Sequence, residues 1–210
     1  MSSPTSPTRS GPGEATADRL THDQDGVPAH AARPFAQIPS RLGYGDLPDR
    51  DLTEGELLEL AASLAASPEL WRKHVAFDSK NRHYANLFRD AHVDCWVLCW
   101  TPVNDTGWHD HDVSSGAVAV AQGVLVEHNL LVGSPDGSDL ATEIPAGHVF
   151  SFGPDHIHRL TGLDEGSVSV HVYSPPLRTL GQYAVDASGM LRRTVIGYEE
   201  ELRAPEPVLV

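Results

Sequence analysis

The sequence predicts an all-β fold, a sandwich or barrel of short strands, with a helical segment on its N-terminal side. From about residue 92 onward, strand-like runs recur at intervals of roughly 8–12 residues, which is typical of sandwiches and barrels. Turn-forming residues separate the runs, most clearly at Ser134-Pro-Asp-Gly137. No strand–helix–strand alternation and no glycine-rich phosphate loop is visible, which disfavours a parallel α/β fold.

Composition indicates an ordinary globular protein. The chain has 210 residues, 40% of them hydrophobic and 21% charged, which fits a single domain. A net charge of −14 argues against attraction to nucleic acid or to an anionic membrane. We therefore expect neither as a partner, and we expect a monomer or a weak homo-oligomer.

Cysteine usage and the N-terminus indicate the compartment. Cys95 and Cys99 lie four apart on a predicted strand, too far from each other to bond. No disulfide framework is implied, which fits a reducing compartment. The N-terminus lacks an apolar targeting segment, and no run approaches the roughly 18 apolar residues of a membrane span. The expected location is the cytoplasm.

The chain divides into three parts by composition. Residues 1–35 are poor in apolar side chains and rich in serine, proline and glycine, so they are expected to form a disordered leader. Residues 36–200 are expected to form one domain, whose helical part covers about residues 51–78. Residues 201–210 are expected to form a C-terminal tail.

Two helices are predicted within that helical part. Thr53 and Glu56 have the spacing of a capping box, in which each side chain caps the other's backbone N–H. Pro68 after Ser67 begins a second helix, because proline is favoured at a first helical position. We expect both helices to pack outside the strands. Their apolar positions are Leu57, Leu60, Leu64, Leu70, Trp71 and Val75.

The strands are predicted from apolar runs and alternation. A hairpin is expected over 182–185 and 191–197, with its turn at 186–189. The other predicted strands cover residues 93–100, 117–121, 124–132, 140–144, 149–152, 156–160 and 168–173.

Two His-x-His motifs carry the chemistry. His109 and His111 form the first, and His156 and His158 form the second. On a strand, residues two apart point to the same face, so each motif directs two imidazoles into one space. A closed barrel could bring three or four of these rings together. First-row metals accept imidazole readily, and a neutral all-histidine site leaves Fe(II) with its full charge, which favours an anionic thiolate.

At this point the sequence resembles the cupin superfamily. Residues 107–123 and 144–158 look like the two halves of its pattern, and the acidic ligand of the first half is missing, since Ser115 or Gly116 stands in its place. The pattern residues that the chain keeps are Gly107, His109, His111, Gly123, Pro145, Gly147 and a closing histidine. The resemblance implies a double-stranded β-helix, or jelly-roll, barrel.

Within the cupins, the chain resembles the cysteine dioxygenase, or thiol dioxygenase, family. Leu98-Cys-Trp100, followed nine residues later by the first histidine motif, is similar to that family's first metal strand. The segment 167–176, Ser-Val-Ser-Val-His-Val-Tyr-Ser-Pro-Pro, is the most specific feature and resembles the family's Ser-x-His-x-Tyr-Ser-Pro-Pro. The resemblance covers about residues 50–200.

This resemblance implies a site residue by residue. His109, His111 and His158 would bind Fe(II). Tyr173 would place its hydroxyl beside the substrate, oriented by His171, which Ser169 orients in turn. The alternative is that these last three residues are only a polar face of the barrel interior. The Ser174–Pro175 bond resembles the family's cis-proline turn.

The chain departs from the family at two positions. Gly116 stands where some members link a cysteine to the active-site tyrosine, so Tyr173 is expected to be unmodified, as in bacterial glycine-type members. The family's Tyr-x-Arg, or the glutamine of a sister group, becomes Tyr84-Ala-Asn86, and asparagine lacks the charged fork of arginine. Arg82 and Arg89 are the candidates to replace that charge, with surface arginine as the alternative for each.

The function implied is that of an Fe(II)-dependent thiol dioxygenase, with a small thiol and O2 as its substrates. L-cysteine, converted to cysteine sulfinate, is the leading substrate. The alternative substrate is 3-mercaptopropionate or another small thiol. Two other classes stay open at this point, a metal-dependent cupin isomerase or lyase and a non-catalytic ligand-binding cupin.

Overall fold

A computed structural model describes residues 31–39, 42–130, 139–185 and 190–198. Helices α1 (Glu54–Ala65) and α2 (Pro68–Trp71) come before all but one of the strands in that part of the chain. Short 3-10 turns cover Phe35–Gln37, Tyr44–Asp46 and Arg72–His74. The strands are β1 (Arg33–Pro34), β2 (His83–Arg89), β3 (Asp94–Trp100), β4 (Trp108–Asp110), β5 (Ser115–Gln122), β6 (Val124–Leu130), β7 (Asp139–Pro145), β8 (His148–Phe152), β9 (His158–Gly162), β10 (Ser167–Ser174), β11 (Thr179–Val185) and β12 (Leu191–Gly197).

The strands form two antiparallel sheets. The first has the order β1-β8-β5-β10-β3-β2, and the second has the order β12-β11-β4-β9-β6-β7. Side chains of both sheets meet in one buried cluster, in which Trp100, Phe150 and Tyr173 of the first sheet join Leu125 and Leu160 of the second. The interior between the sheets is therefore a packed core that leaves room for a site.

Strands β3 and β10 are buried along their whole length because each is covered on both faces. One face of β10 carries Val168, Val170 and Val172, which pack with the helices in an outer core. The opposite face carries polar residues that alternate with the valines and point into the barrel. The expectation that the N-terminal helices pack outside the strands is confirmed, since Leu57 and Leu60 of α1 lie in the same outer core.

The predicted capping box starts α1. The side-chain oxygen of Thr53 accepts a bond from the backbone N–H of Glu56, and Glu56 Oε2 accepts one from the backbone N–H of Thr53 at 2.8 Å. The second helix is shorter than predicted, because α2 ends at Trp71 and a 3-10 turn follows. The indole of Trp71 anchors that end by donating to the carbonyl of Ala65 at 3.2 Å.

The strand predictions need three corrections. Strand β2 was not predicted, since it is a polar edge strand with an irregularity between Asn86 and Phe88 that breaks the alternation. Strand β9 begins at His158, two residues later than predicted, because the backbone N–H of His156 closes a turn onto Gly153 at 3.2 Å. Part of the expected leader, Arg33–Pro34, pairs with β8. The predicted turns at 134–137 and 186–189 lie outside the described residues, as do residues 1–30 and the predicted tail.

Two smaller expectations can be compared with the structure. Cys95 and Cys99 are buried and free. The peptide bond between Ser174 and Pro175 is cis.

Neither helix of the described part of the chain has the length and apolarity that would let it cross a membrane.

Candidate metal centre and its cavity

Three histidines converge from two strands of the second sheet. His109 on β4 and His158 on β9 are direct partners in the antiparallel ladder. His111 follows one residue after β4 ends, and a left-handed residue, Asp112, turns the chain away behind it. All three side chains are buried. The first histidine motif therefore brings both of its imidazoles to this cluster, and the second motif brings His158.

The three rings have the spacing of a shared metal site. Their centroids are 4.9 Å apart for His109 and His111, 4.8 Å for His109 and His158, and 5.1 Å for His111 and His158. One nitrogen from each lies within 4.8 Å of the other two. First-row metals bind imidazole nitrogen at about 2 Å, so a small movement of each ring suffices to hold one ion.

Unpartnered nitrogens support a metal at this position. Both ring nitrogens of His111 and Nε2 of His158 are buried without a hydrogen-bond partner. A buried polar atom with no partner is unfavourable, and such atoms in native proteins call for an ion or a water. Burial lowers the pKa of His111 well below its usual range, and neighbouring imidazoles lower it further. The ring is therefore neutral, with a lone pair available to a cation.

A carboxylate lies directly behind the ring of His158. Glu127 Oε1 on β6 accepts from Nδ1 of His158 at 2.9 Å and from Nε2 of His156 at 3.2 Å. Glu127 is not among the site residues predicted from the sequence. A signal was present, since Glu127 follows Leu125 at strand spacing and so places a charge on the face of β6 that is buried at Leu125.

A second polar chain lies on β10 of the opposite sheet. Ser169 Oγ is 2.8 Å from Nε2 of His171, and Nδ1 of His171 is 3.1 Å from the hydroxyl of Tyr173. The indole N–H of Trp100 donates to Ser169 Oγ at 2.8 Å. Burial lowers the pKa of His171 well below its usual range, with a further contribution from the charge of Arg82.

The hydrogen-bonded chain of Ser169, His171 and Tyr173, called the relay below, opens into the same cavity as the histidine cluster. The rings of Tyr173 and His111 have centroids 5.6 Å apart. The cavity has an empty volume of about 460 Å³, part of which is open solvent at its mouth, so it suits a small molecule. Its lining residues are Trp96, Leu98, Thr106, His109, His111, His158, Leu160, His171, Tyr173, Leu177, Leu180 and Tyr198.

The four predicted substrate-binding residues lie outside this wall. The ring centroids of Tyr84 and Trp96 are 5.9 Å apart. The side-chain amide of Asn86 donates to Asp94 Oδ1 at 2.9 Å. Arg82 is buried with its guanidinium 4.8 Å from the centroid of the Trp100 ring.

Arg89 contacts the residues at the mouth of the cavity. Its guanidinium lies 5.6 Å from the Trp96 ring and 4.9 Å from the Tyr198 ring, and it donates to the carbonyl of Leu177 at 3.4 Å. It also pairs with Asp94. Arg89 thus contacts three residues of the cavity wall, Trp96, Leu177 and Tyr198.

Comparison with known families agrees with this geometry. A family model described as cysteine dioxygenase type I matches residues 28–186, which is most of the 210-residue chain. The chain belongs to the cysteine dioxygenase type I family. Membership, together with the two antiparallel sheets, confirms the expected all-β cupin fold. It also makes the chain a cysteine dioxygenase-like enzyme of the cupin type, a class of enzymes that bind a metal.

Solved structures similar to this member of the cysteine dioxygenase type I family include other cupins. A conserved protein with a double-stranded β-helix domain from Klebsiella pneumoniae is 14% identical, with a TM-score of 0.43 over 59% of this chain and 92% of that chain. KdgF from Halomonas sp. is 14% identical, with a TM-score of 0.41 over 50% of this chain and 92% of KdgF. A cupin superfamily protein from Desulfitobacterium hafniense is 10% identical, with a TM-score of 0.42 over 50% and 87%. No curated protein matches the chain.

Proposed function

We propose that the chain is an iron(II)-dependent thiol dioxygenase that converts L-cysteine to cysteine sulfinate. The observation that carries this proposal is the buried cluster of His109, His111 and His158, with unpartnered nitrogens, in one cavity with Tyr173. Family membership supports a thiol dioxygenase in general. Imidazole suits iron, zinc, copper and nickel, so the choice of iron rests on the oxidation chemistry.

The three histidines, which line the cavity, would hold the metal. Non-haem iron bound there would supply the one-electron chemistry with O2 that no side chain supplies. Leucine and tryptophan side chains make up much of the cavity wall and would keep bulk water from the inner end of the cavity when a thiol is bound. Both oxygen atoms of O2 pass to the thiol sulfur, so two S–O bonds form as the O–O bond breaks. The oxidation of sulfur balances the reduction of O2, and no external reductant is needed.

The hydrogen-bond chain behind Tyr173 sets the direction of its proton. The indole of Trp100 can only donate, so Ser169 Oγ accepts from it. We assign the hydroxyl proton of Ser169 to Nε2 of neutral His171, because His171 is the other hydrogen-bond partner of this hydroxyl among the described residues. Nδ1 of His171 then carries the proton and donates to the Tyr173 oxygen. The phenolic proton of Tyr173 is thereby left to donate into the cavity, toward the reacting sulfur and oxygen atoms.

A phenolic proton of Tyr173 that points into the cavity favours an oxygenase over the alternative cupin classes. An isomerase or lyase that used the metal only as a Lewis acid does not require an oriented phenol at this position. A ligand-binding cupin requires neither the metal nor the phenol. Metal analysis separates these classes, because iron supports the oxygenase, zinc or nickel supports the isomerase or lyase, and absence of metal supports the binding protein.

Substrate identity depends on what binds a carboxylate. Among the described residues, no Lys, Arg, Asp or Glu side chain lines the cavity. Arg89 at the mouth is the cation that we assign to the substrate carboxylate, because it contacts Trp96 and Tyr198 of the wall. A free 3-mercaptopropionate carboxylate would use the same cation, so this thiol is the second candidate substrate.

The test is oxygen uptake by protein reconstituted anaerobically with Fe(II). The expected result is one O2 consumed and one sulfinate formed for each L-cysteine oxidised, with no uptake by His111→Ala, which removes one ligand. Parallel assays with 3-mercaptopropionate and cysteamine rank the substrates. Absence of uptake with every thiol, in protein that contains one iron per chain, rejects the proposal.

A further inference from the structure

Glu127 is a buried carboxylate in contact with the metal cluster but outside it. Its side chain is 4% exposed. Within the described residues, its polar contacts come only from His158 at 2.9 Å and His156 at 3.2 Å, both to the same oxygen, Oε1. No arginine or lysine in the described part of the chain pairs with it. A buried carboxylate held by two imidazoles has no fixed positive partner in the protein itself.

The contacts of Glu127 are those of a carboxylate. Its Oε1 accepts hydrogen bonds from two imidazoles, at 2.9 Å from His158 and at 3.2 Å from His156. An oxygen that accepts from two donors is typical of the ionised form of the side chain, which has no proton to donate. A buried charge without an opposite charge is unfavourable, and a cation at the histidine cluster would relieve it.

The hydrogen bond to Glu127 also fixes the tautomer of His158. A neutral imidazole has one N–H, and Nδ1 must carry it in order to donate to Oε1. The other nitrogen, Nε2, then has a free lone pair, and it lies buried and without a hydrogen-bond partner near His109 and His111. Metal-binding histidines commonly donate their second N–H to a carboxylate, which raises the basicity of the ligand.

We propose that Glu127 is a positioning residue for the metal. It fixes Nε2 of His158 as the nitrogen that binds the metal, and it places a negative charge next to Nδ1 of the same ring. The identity of that metal rests on the proposed function, but the role of Glu127 does not. With Glu127 ionised, the neutral three-histidine set acquires a compensating charge, so the site with a divalent cation carries a net charge of about +1 rather than +2. His156 supports the arrangement as a second donor to Oε1.

The test compares metal binding by wild-type protein and Glu127→Gln, which keeps the volume and one acceptor but removes the charge. The dissociation constant for Fe(II), measured anaerobically by competition with a chelating dye, is expected to rise about 10- to 100-fold. The metal-free variant is expected to unfold at the same temperature as metal-free wild type or higher, because the isolated buried charge is gone. The Fe(III)/Fe(II) midpoint potential is expected to rise, since a lost negative charge favours the lower oxidation state.

Controls separate charge from position. Glu127→Asp keeps the charge and is expected to retain more Fe(II) affinity than Glu127→Gln. If the glutamine variant does not fold, the aspartate variant can still be compared with wild type. Glu143→Gln, on the exposed face of β7 opposite Val126, is the matched neutralisation and is expected to bind Fe(II) as wild type does.

Two results would overturn the assignment. One is wild-type affinity for Fe(II) in both Glu127 variants. The other is a second metal ion per chain that Glu127→Gln alone abolishes, which would make Glu127, His156 and His158 a ligand set of their own. Neither result bears on oxygen uptake by the wild-type enzyme. Conversely, a protein whose Fe(II) affinity depends on Glu127 but that oxidises no thiol would refute only the proposed function.

Discussion

A glycine, which has no side chain, shapes the surroundings of Tyr173. Gly116 lies directly across the ladder from Tyr173, at the position where some family members carry a cysteine. A Cβ added there would lie 2.5 Å from the ring of Phe152 and 3.0 Å from the ring of Tyr173. Phe152 thus fills the space that a cross-linking cysteine would need, and it also stacks on His111 at 4.3 Å. The expectation that Tyr173 is unmodified agrees with this packing and stays a prediction.

The hydroxyl of Tyr173 is expected to act on the rate and not on metal binding. Tyr173→Phe keeps the ring against His111 but removes the proton donor, so turnover with L-cysteine should fall by about 10²- to 10⁴-fold. Iron content should equal that of wild type. Tyr44→Phe is the control, because that phenol is buried in the outer core away from the cavity. A Tyr173→Phe enzyme with normal turnover would remove the relay from the mechanism.

The role of Arg89 is expected to appear in KM. The double variant Arg89→Met with Asp94→Asn removes the cation without leaving buried Asp94 as an unpaired charge. We expect KM for L-cysteine to rise about 10- to 100-fold, the value of a charge-assisted hydrogen bond, while oxidation of cysteamine, which has no carboxylate, changes little. Arg72→Met, on an exposed 3-10 turn, is the control. Equal loss with both thiols would show that Arg89 only supports the fold.

At the scale of elements, the start of helix α1 offers a test of stability. Glu56 accepts from Arg50 at 2.7 and 2.9 Å and from the backbone of Thr53, and these bonds lower its pKa from 4.5 to about 2. A carboxyl with a lowered native pKa contributes stability above its unfolded pKa, and the contribution is lost as pH falls through the native pKa.

Glu56→Gln is therefore expected to lose about 1 kcal/mol of unfolding free energy at pH 7, since the carboxyl is partly exposed and its ion pair is screened. The difference from wild type should stay constant down to about pH 4.5 and shrink toward pH 2. Urea unfolding at several pH values measures it, with Glu165→Gln in an exposed turn as the control. A difference that does not depend on pH would contradict the assignment.

Elements with a clear period were predictable, and those without one were not. Strand β10 was predicted almost to its ends because valines alternate with polar residues. Strand β2 was missed because its period is broken at Asn86 and Phe88. The start of β9 was misplaced because a local turn at His156 removes that histidine from the strand while leaving its ring 4.9 Å from His158.

At the scale of the whole molecule, the site exists only because two sheets close on each other. The second sheet brings His109 beside His158, which lies almost fifty residues later in the chain. The first sheet places Tyr173 across the interior from them. Motif spacing predicted that three or four histidines would meet, and the family resemblance predicted which three. Neither predicted Glu127, because its contact with His158 arises from the pairing of β6 with β9, which motif spacing does not record.

The same closure explains why substrate contacts were the least predictable part of the site. The residue that matches the family position, Asn86, is held by Asp94 and by the carbonyl of Cys95. Arg89, three residues later in the same strand, reaches the mouth because β2 is irregular between these positions. A register change of this kind depends on the paired strand and cannot be read from one stretch of sequence.

The central claim is that a ferrous ion on three histidines lets both atoms of O2 enter a small thiol. The most direct measurement is the mass of the sulfinate formed from L-cysteine under ¹⁸O₂ by protein reconstituted with Fe(II). Both sulfinate oxygens are expected to carry the label, and His158→Ala is expected to form no product. Sulfinate in which an oxygen comes from water, or labelled product from the His158→Ala protein, would contradict it.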